Sequence, residues 1–298
     1  FNDAPNHYAE ESWTRSAESG NCARQTMDVV VLAGGFGTRL RPWTSSIPKP
    51  LIPILDQSMI EHVLNVLPES EVDKVLIAAG YGIDQMRDYF SNIDLPYEVV
   101  IVEETEPLGT GGAIANCRPH LSDGTFCVIN GDLITSLKVK DMLEFHKKNG
   151  GLATISLWPV EDPSRFGVAD YIEETGKIMR FQEKPPIEEA FSNLINAGTY
   201  LLDPEIFDFM PEGRHSMERD VYEKIAENGE LNGFPFEGMF VDAGTPESFV
   251  EATQACINSG RFSTGGTKGG TWFGNNVCLL YTSDAADEGL GVDLGGRR

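Results

Sequence analysis

A glycine-rich, cationic loop near the start of the chain has the residue types needed to hold a phosphate. It follows the run 27–33, which is almost entirely apolar and rich in valine, as a strand buried on both faces of a parallel sheet should be. Three glycines come within the next four positions and let main-chain N–H groups approach an anion closely. Arg39 and Lys49 add positive charge nearby. This pattern predicts chemistry at phosphorus.

Two common phosphate-binding motifs are absent from this loop. A dinucleotide-binding loop carries Gly-x-Gly-x-x-Gly, but Leu40 stands where the third glycine would be. The P-loop motif Gly-x-x-x-x-Gly-Lys-Ser/Thr does not occur either. The loop therefore indicates neither a nicotinamide cofactor nor a P-loop enzyme.

The stretch Val29–Arg41, followed by Pro48-Lys49-Pro50, resembles the signature of the sugar-1-phosphate nucleotidylyltransferases. In that family Gly-Gly-x-Gly-Thr-Arg-Leu and Pro-Lys-Pro surround a nucleoside triphosphate. Ser216–Asp220 resembles, in particular, a segment of mannose-1-phosphate guanylyltransferases. The resemblance covers roughly residues 27–255. It implies transfer of a nucleoside monophosphate from an NTP to a sugar 1-phosphate, with release of pyrophosphate.

The same resemblance implies which residues contact the nucleotide. They are Leu32, Ala33, Gly34, Gly35, Gly37, Thr38, Glu104, Gly109 and Thr110. A carboxylate such as Glu104 suits the adjacent N1–H and 2-amino donors of guanine, whereas thymine or uracil would favour an amide. The predicted nucleotide is therefore GTP, and the predicted acceptor is mannose 1-phosphate.

Two aspartates follow predicted strands, Asp132 after Phe126–Ile129 and Asp242 after Gly238–Val241. Ligands of open α/β sheets bind beyond the carboxyl ends of the strands, and carboxylate oxygens are ligands that Mg²⁺ takes. Either aspartate alone could instead form a turn or a helix entry. The family places its metal-binding aspartates in matching Gly-Asp and Asp-x-Gly contexts, which implies that Asp132 and Asp242 hold Mg²⁺ as a cofactor.

The Glu183-Lys184-Pro185 run resembles the family's Glu-Lys-Pro motif. The resemblance implies that Lys184 contacts the sugar phosphate and that Glu183 binds sugar hydroxyls. Gly167 and Asn196 lie in segments that match those lining the sugar pocket of the family.

The charge of the substrates defines what catalysis requires. The second pKa of a phosphate monoester is near 6, so a sugar 1-phosphate is already an anionic nucleophile at neutral pH and needs no general base. The barrier is repulsion between two anions, which the enzyme lowers by holding them in line and offsetting their charge. The predicted catalytic residues are Arg39, Lys49, Asp132, Lys184 and Asp242.

Composition limits the other partners. A formal net charge of −23 argues against nucleic acid or an anionic membrane as a partner. No apolar run is long enough to cross a bilayer. The five cysteines include no Cys-x-x-Cys pair, which predicts free thiols and a cytoplasmic location.

Strand-like and helix-like segments alternate, which predicts a doubly wound α/β domain with a mostly parallel sheet. Predicted strands cover 27–33, 74–79, 98–103 and 125–130, and predicted helices cover 58–67, 82–90 and 110–118. Ser58 and Glu61 predict a capping box, and Thr245-Pro246 predicts the start of the last helix.

The ends of the chain differ from this alternating region. Residues 1–26 are predicted to be a disordered or non-native leader, and 27–258 to be the catalytic domain. Residues 259–277 resemble a linker and the first coil of a left-handed β-helix, which implies a homo-oligomer for the full-length protein. Residues 278–298 resemble translated sequencing adapters and are predicted to be an artefact.

Two alternative functions remain open. One is the same chemistry with dTTP or UTP and glucose 1-phosphate, and the other is a non-catalytic sensor of nucleotide sugars. The presence of all five predicted catalytic residues argues against the sensor.

Overall fold

The computed structural model describes residues 26–268 and 270–274, so the predictions for 1–25 and 275–298 lie outside the described residues. The strands are β1 (Met27–Leu32), β2 (Pro53–Ile54), β3 (Gln57–Ser58), β4 (Val72–Ala79), β5 (Glu98–Glu103), β6 (Phe126–Asn130), β7 (Leu133–Thr135), β8 (Ala153–Pro159), β9 (Gly167–Ile172), β10 (Lys177–Glu183), β11 (Leu194–Leu202), β12 (Leu231–Pro235), β13 (Phe240–Asp242), β14 (Gly266–Lys268) and β15 (Thr271–Phe273). The α-helices are α1 (Met59–Leu64), α2 (Ile83–Ser91), α3 (Gly109–Cys117), α4 (Val139–Asn149), α5 (Glu223–Glu227) and α6 (Pro246–Ser259), and a π-helical turn spans Met217–Tyr222. The four strands and three helices predicted for the first half are confirmed, with ends that differ by a few residues.

Nine strands form the main sheet, in the order β5-β4-β1-β6-β11-β8-β12-β10-β9. Strands β5, β4, β1 and β6 are mutually parallel, as the βαβ spacing predicts. The prediction of a mostly parallel sheet is wrong for the second half, where β11 is antiparallel to both β6 and β8, and β10 is antiparallel to both β12 and β9. Strands β9 and β10 are joined directly by the turn 173–176, and so short a connection permits only antiparallel pairing, whereas β6, β8 and β11 pair across longer stretches of chain. The sheet is therefore mixed.

Helices cover both faces of the sheet, and the side chains of β1 show why. Val30 belongs to one apolar core with α3, α5 and the π-helical turn, while Val29 and Val31 belong to a second core with α1, α2 and α4. All three valines are fully buried. Because successive side chains of a strand point to opposite faces, a continuous valine run is what a strand covered on both sides requires.

Both predicted helix starts are confirmed. The Ser58 hydroxyl accepts from the main-chain N–H of Glu61 at 3.3 Å, and the Glu61 carboxylate accepts from the main-chain N–H of Ser58 at 2.6 Å. Thr245 caps α6 in the same way through Ser248, with Pro246 in the first turn. These caps set where α1 and α6 begin, next to the loops that carry phosphate-binding candidates.

After α6, strands β14 and β15 form an antiparallel hairpin. The β-helix coil predicted for 259–277 remains a prediction, because its last three residues lie outside the described part. Cys117, Cys127 and Cys256 are buried free thiols, as predicted, while Cys22 and Cys278 lie among the residues not described. Within the described residues no helix is long and apolar enough to cross a membrane.

Candidate functional site

The two predicted metal-binding aspartates lie side by side although they are far apart in the sequence. Asp132 follows β6, and Asp242 ends β13. Strand β13 pairs with β7, which places Asp242 opposite Leu133. The main-chain N–H of Ala243 also donates to the carbonyl of Asp132 at 3.0 Å. Pairing of these two short strands therefore assembles the carboxylate pair.

The electrostatics of the pair favour a cation. Burial raises the pKa of Asp242, and the neighbouring charge of Asp132 raises it further. Lys49, Arg39 and Arg165 oppose this rise. Asp242 Oδ1 is buried and finds no hydrogen-bond partner among the described residues. A buried carboxylate oxygen without a donor is costly unless a proton or a metal ion compensates it.

Arg39 and Lys49 border the same carboxylates. The ammonium of Lys49 pairs with Asp132 Oδ2. A Cβ atom added at Gly244 would lie 2.7 Å from Asp242 Oδ1 and 3.1 Å from a guanidinium nitrogen of Arg39. Glycine at this position therefore lets the aspartate and the arginine approach each other.

The glycine-rich loop and these charged residues enclose a cavity of about 240 Å³. It is lined by Leu32, Ala33, Gly35, Gly37, Thr38, Arg39, Lys49, Pro50, Gly131, Asp132 and Gly244. Gly37 has a φ of 59°, in the left-handed region, and its carbonyl accepts from the Thr44 hydroxyl at 2.8 Å. The loop thus needs glycine at this point, and Thr44 fixes the turn.

A second cavity of about 360 Å³ shares residues with the first and extends toward the predicted base loop. Its lining includes Leu32, Gly34, Gly35, Glu104, Pro107, Leu108, Gly109, Thr110, Asn130, Asp132 and Arg214. The two cavities together contain all nine predicted nucleotide-binding residues.

Glu104 lies over the main chain of Gly34. A Cβ atom at Gly34 would overlap the Glu104 carboxylate, so only glycine leaves room for it. The carboxylate also accepts from the main-chain N–H of Leu108 at 3.4 Å. Burial raises the pKa of Glu104, and the hydrogen bond from Leu108 partly opposes the rise. The side chain is therefore held in the wall of the second cavity.

None of the predicted sugar-side residues lines either of these two cavities. Lys184 has a φ of 51°, and its ammonium pairs with Glu183 Oε1 at 2.8 Å. The Asn196 amide donates to the hydroxyl of Tyr200 at 3.1 Å. A Cβ atom at Gly167 would lie 3.0 Å from the second carboxylate oxygen of Glu183. Gly167, Glu183 and Lys184 are thus neighbours, and Asn196 is held separately by Tyr200.

Sequence reasoning missed several residues of the site. Asn130 lines the second cavity and also hydrogen-bonds to Tyr200, so it joins the nucleotide side to the sugar side. Its position at the end of β6, two residues before Asp132, was the available signal. Arg214 lines the same cavity, and Arg165 acts on the charge of Asp242. Arg165 stands in the segment that carries Gly167, and Arg214 belongs to no segment singled out from the sequence. The positions of both arginines near the site depend on the tertiary fold.

The residues present fit a hard divalent cation. Two carboxylates lie together, and one has a buried oxygen without a donor. No group of three or more His, Cys, Asp or Glu residues able to hold a metal occurs within 26–268 and 270–274. Mg²⁺ suits such a pair, because it takes one or two protein carboxylates and completes its shell with phosphate oxygens and water.

The chain is similar to known proteins in both sequence and fold. The family model described as "Nucleotidyl transferase" matches residues 28–259. Mannose-1-phosphate guanylyltransferase 1 of Arabidopsis thaliana is 38% identical over 238 residues, which cover 78% of this chain and 65% of that protein. The catalytic subunit beta of the Dictyostelium discoideum enzyme is 38% identical over 236 residues, with the same coverage of 78% and 65%. The chain therefore spans about 65% of the length of these curated relatives.

Solved structures show the same architecture. HddC from Yersinia pseudotuberculosis is 31% identical with a TM-score of 0.66, and the match covers 77% of this chain and 99% of that one. The same protein has been solved in complex with GMP-PN. A putative glucose-1-phosphate thymidylyltransferase from Bacillus anthracis is 28% identical with a TM-score of 0.69, covering 76% of this chain and 94% of that one. By its sequence match and its fold, the chain belongs to the nucleotidyl transferase family.

Proposed function

We propose that this chain transfers GMP from GTP to mannose 1-phosphate, in a Mg²⁺-dependent reaction that yields GDP-mannose and pyrophosphate. The observation that carries the proposal is the meeting of Asp132 and Asp242 beside Arg39 and Lys49. Asp132, Arg39 and Lys49 line the first cavity, which shares Leu32, Gly35 and Asp132 with the cavity beside Gly34 and Glu104. The names of the guanylyltransferases of Arabidopsis and Dictyostelium support the choice of substrates. The GMP-PN complex of HddC supports a guanine nucleotide.

Each charged residue has a role in the proposed reaction. Asp132 and Asp242 would hold Mg²⁺, which would supply positive charge to offset the negative charge of the phosphates. Arg39 and Lys49 offset the charge that develops on the departing pyrophosphate. Lys184 holds the attacking phosphate, and its side chain, 55% exposed, is free to reach into solvent-filled space. Lys49 and Lys184 exchange their present carboxylate partners for phosphate oxygens when substrates bind.

The remaining predicted residues orient the substrates. Leu32–Gly35, Gly37 and Thr38 offer main-chain groups to the triphosphate and the base, and the Gly109–Thr110 turn covers the nucleoside. Glu104 accepts from N1–H and the 2-amino group of guanine. Gly167, Glu183 and Asn196 bind the sugar.

We further propose that the protein acts in the cytoplasm, without a nucleic acid or membrane partner. The buried free thiols of Cys117, Cys127 and Cys256 support a reducing compartment. We also propose that the segment after α6 leads into a left-handed β-helix through which the full-length protein forms a homo-oligomer.

The test is an assay of pyrophosphate release with each of four nucleoside triphosphates and two sugar phosphates, with Mg²⁺ and with excess EDTA. We expect release from GTP with mannose 1-phosphate, and its loss in EDTA. Release from dTTP or UTP with glucose 1-phosphate alone would favour the second candidate reaction. No release from any pair, with retained binding of a nucleotide sugar, would favour a sensor. The relative solved as a putative thymidylyltransferase is the reason to include the second reaction.

A further inference from the structure

Residues 213–218, termed here the covering segment, lie directly against the start of α3. The main-chain N–H of His215 donates to the carbonyl of Leu108 at 3.0 Å. The N–H groups of Gly111 and Gly112 in turn donate to the carbonyl of His215, at 3.1 and 3.3 Å. A Cβ atom at Gly111 would overlap the His215 ring. The glycines after the predicted base loop are therefore needed to admit the covering segment.

The Thr110 side chain holds the covering segment at a second point. Its hydroxyl donates to Glu218 Oε2 at 2.6 Å and accepts from the main-chain N–H of Met217 at 2.9 Å. The Ser216 hydroxyl donates to the same oxygen of Glu218 at 2.6 Å. One carboxylate oxygen thus ties the nucleotide loop to the π-helical turn, through hydrogen bonds strengthened by its charge.

The π-helical turn continues this contact toward the sugar side. The ring of Tyr222, its last residue, lies 5.3 Å from the ring of Tyr200. The Tyr200 hydroxyl is held by Asn196, one of the predicted sugar-binding residues. Both tyrosines are buried, and the charge of Glu218 adds to burial in raising the pKa of each. A continuous series of contacts therefore runs from Thr110 to Asn196.

The turn also contains an unsatisfied polar group. The Tyr222 hydroxyl is buried and finds no hydrogen-bond partner among the described residues. Leaving a buried donor unpaired is unfavourable, and π-helical turns are rare and frequent at functional sites. Both features single out this turn as the element through which contacts at its two ends can act on each other.

We propose that Thr110 and Glu218 are positioning residues that couple the nucleotide loop to the sugar pocket, so that bound NTP raises the affinity for the sugar 1-phosphate. This inference rests on the proposed function. Nucleotide in the second cavity fixes the loop around Thr110, and Thr110 then fixes Glu218 and the π-helical turn. The turn presents Tyr200 and Asn196 in the arrangement that binds sugar.

The test measures the affinity for mannose 1-phosphate by calorimetry in Mg²⁺ buffer, with and without saturating α,β-methylene GTP, which cannot release pyrophosphate. In the unmodified chain we expect the analogue to raise this affinity about tenfold, within the usual range of coupling between sites. Thr110→Val keeps the side-chain shape and removes both hydrogen bonds, so the increase should fall below about twofold. Because Thr110 also belongs to the proposed nucleotide site, the affinity for the analogue is measured for each variant and the analogue is kept saturating. Thr110→Ser should restore the coupling.

Thr125→Val is the matched control. The Thr125 hydroxyl donates to Asp203 Oδ1 at 2.5 Å, a comparable threonine–carboxylate bond just before the start of β6, at the end of the strand away from Asp132. Its removal should leave the coupling as it is in the unmodified chain. Three results would overturn the inference. Coupling could be undiminished in Thr110→Val, Thr125→Val could lose as much coupling as Thr110→Val, or the unmodified chain could be active and show no coupling. An unmodified chain that releases no pyrophosphate from any pair would instead overturn the proposed function.

Discussion

At the scale of single residues, the main feature of the site is a buried aspartate whose negative charge is not fully balanced by neighbouring groups. Asp242 is buried beside Asp132, and one of its oxygens lacks a donor among the described residues. Arg39, just after the glycine-rich loop, and Lys49, in the Pro48-Lys49-Pro50 run, provide the opposing charge. A polyanionic substrate with a divalent cation would complete this balance, because each of these groups then gains an opposite charge.

The first prediction concerns these charged residues. Asp132→Asn and Arg39→Ala should each lower kcat by about 10²–10³, because each removes charge stabilisation at phosphorus. Thermal unfolding should change little, since both side chains border a cavity and neither belongs to an apolar core. Asp141→Asn, an exposed position on α4, is the control and should behave like the unmodified chain. Near-normal turnover in both site variants would contradict the assigned roles.

The second prediction concerns recognition of guanine. Glu104→Gln should lower kcat/KM for GTP by about tenfold to a hundredfold, because an amide cannot accept from both guanine donors. Glu106→Gln, an exposed acid two residues away, should have no such effect. Because burial raises the pKa of Glu104 above 4.5, lowering the pH protonates it and kcat/KM for GTP should fall relative to the Gln variant. Equal pH profiles for the two proteins would exclude the carboxylate as the base contact.

At the scale of elements, pairing between short segments decides the site. Strands β7 and β13 have three residues each, yet their register brings the two aspartates together. Helix α6 follows β13 and packs with the β2–β3 hairpin and β7 in a separate small core. His62 on α1 lies at this junction, where it hydrogen-bonds to the carbonyl of Ile54 at 3.0 Å and contacts Cys256 Sγ at 3.9 Å. The packing of α6 thereby holds the β13 end in place.

The third prediction concerns the pH dependence of this junction. Burial lowers the pKa of His62 below 6.5, although the Ile54 carbonyl opposes the shift. His62 therefore takes up a proton near pH 6.5 in the unfolded chain, but only at a lower pH in the folded chain. The stabilising effect of neutral His62 is complete above that pH and is lost as the pH falls toward the folded pKa.

Urea unfolding at about pH 7.5 and about pH 5.5 measures how much stability the protein loses between these pH values. The His62 contribution is at most about 1.4 kcal/mol for each unit by which its pKa differs between the folded and the unfolded chain. The unmodified chain should lose more stability between these pH values than His62→Gln does. His120→Gln, at an exposed position, should retain the full pH dependence. Identical losses in all three proteins would contradict the assignment to His62.

At the scale of the whole molecule, an acidic protein must bind acidic substrates. The net charge of −23 repels a nucleotide at long range. Arg39 and Lys49 in the cavity wall place positive charge beside the proposed phosphate site, and the screening length of about 8–10 Å at physiological salt limits the opposing effect of distant acids. Local charge placement therefore decides binding, while net charge affects the stability of the whole fold.

The fourth prediction concerns repulsion among the acidic groups of the protein itself, which the net charge of −23 implies. Raising sodium chloride from about 20 mM to about 300 mM at neutral pH should raise Tm by a few degrees, because the Debye length shortens severalfold. Potassium chloride at the same ionic strength should act alike, since the effect is screening. A Tm that stays constant or falls with salt would show that repulsion between surface charges does not limit stability.

The sequence by itself determined the features that depend on neighbouring residues. The apolar run of β1, the glycines that follow it and the capping box of α1 could all be predicted, because sterics and local hydrogen bonds dictate them. The alternation of strands and helices also determined the parallel half of the sheet. The family signature around Arg39 and Lys49 indicated the reaction class for the same reason, since phosphate binding by main chain requires glycine at fixed spacing.

Only the tertiary structure decided which distant segments meet. The adjacency of Asp132 and Asp242 depends on the register of β7 and β13, and the antiparallel half of the sheet depends on which short strands pair. The partner of Thr110 depends on the tertiary structure for the same reason: its hydroxyl donates to Glu218, more than a hundred residues later. Such contacts are stabilised by packing of the whole chain, and no local pattern in the sequence records the partner.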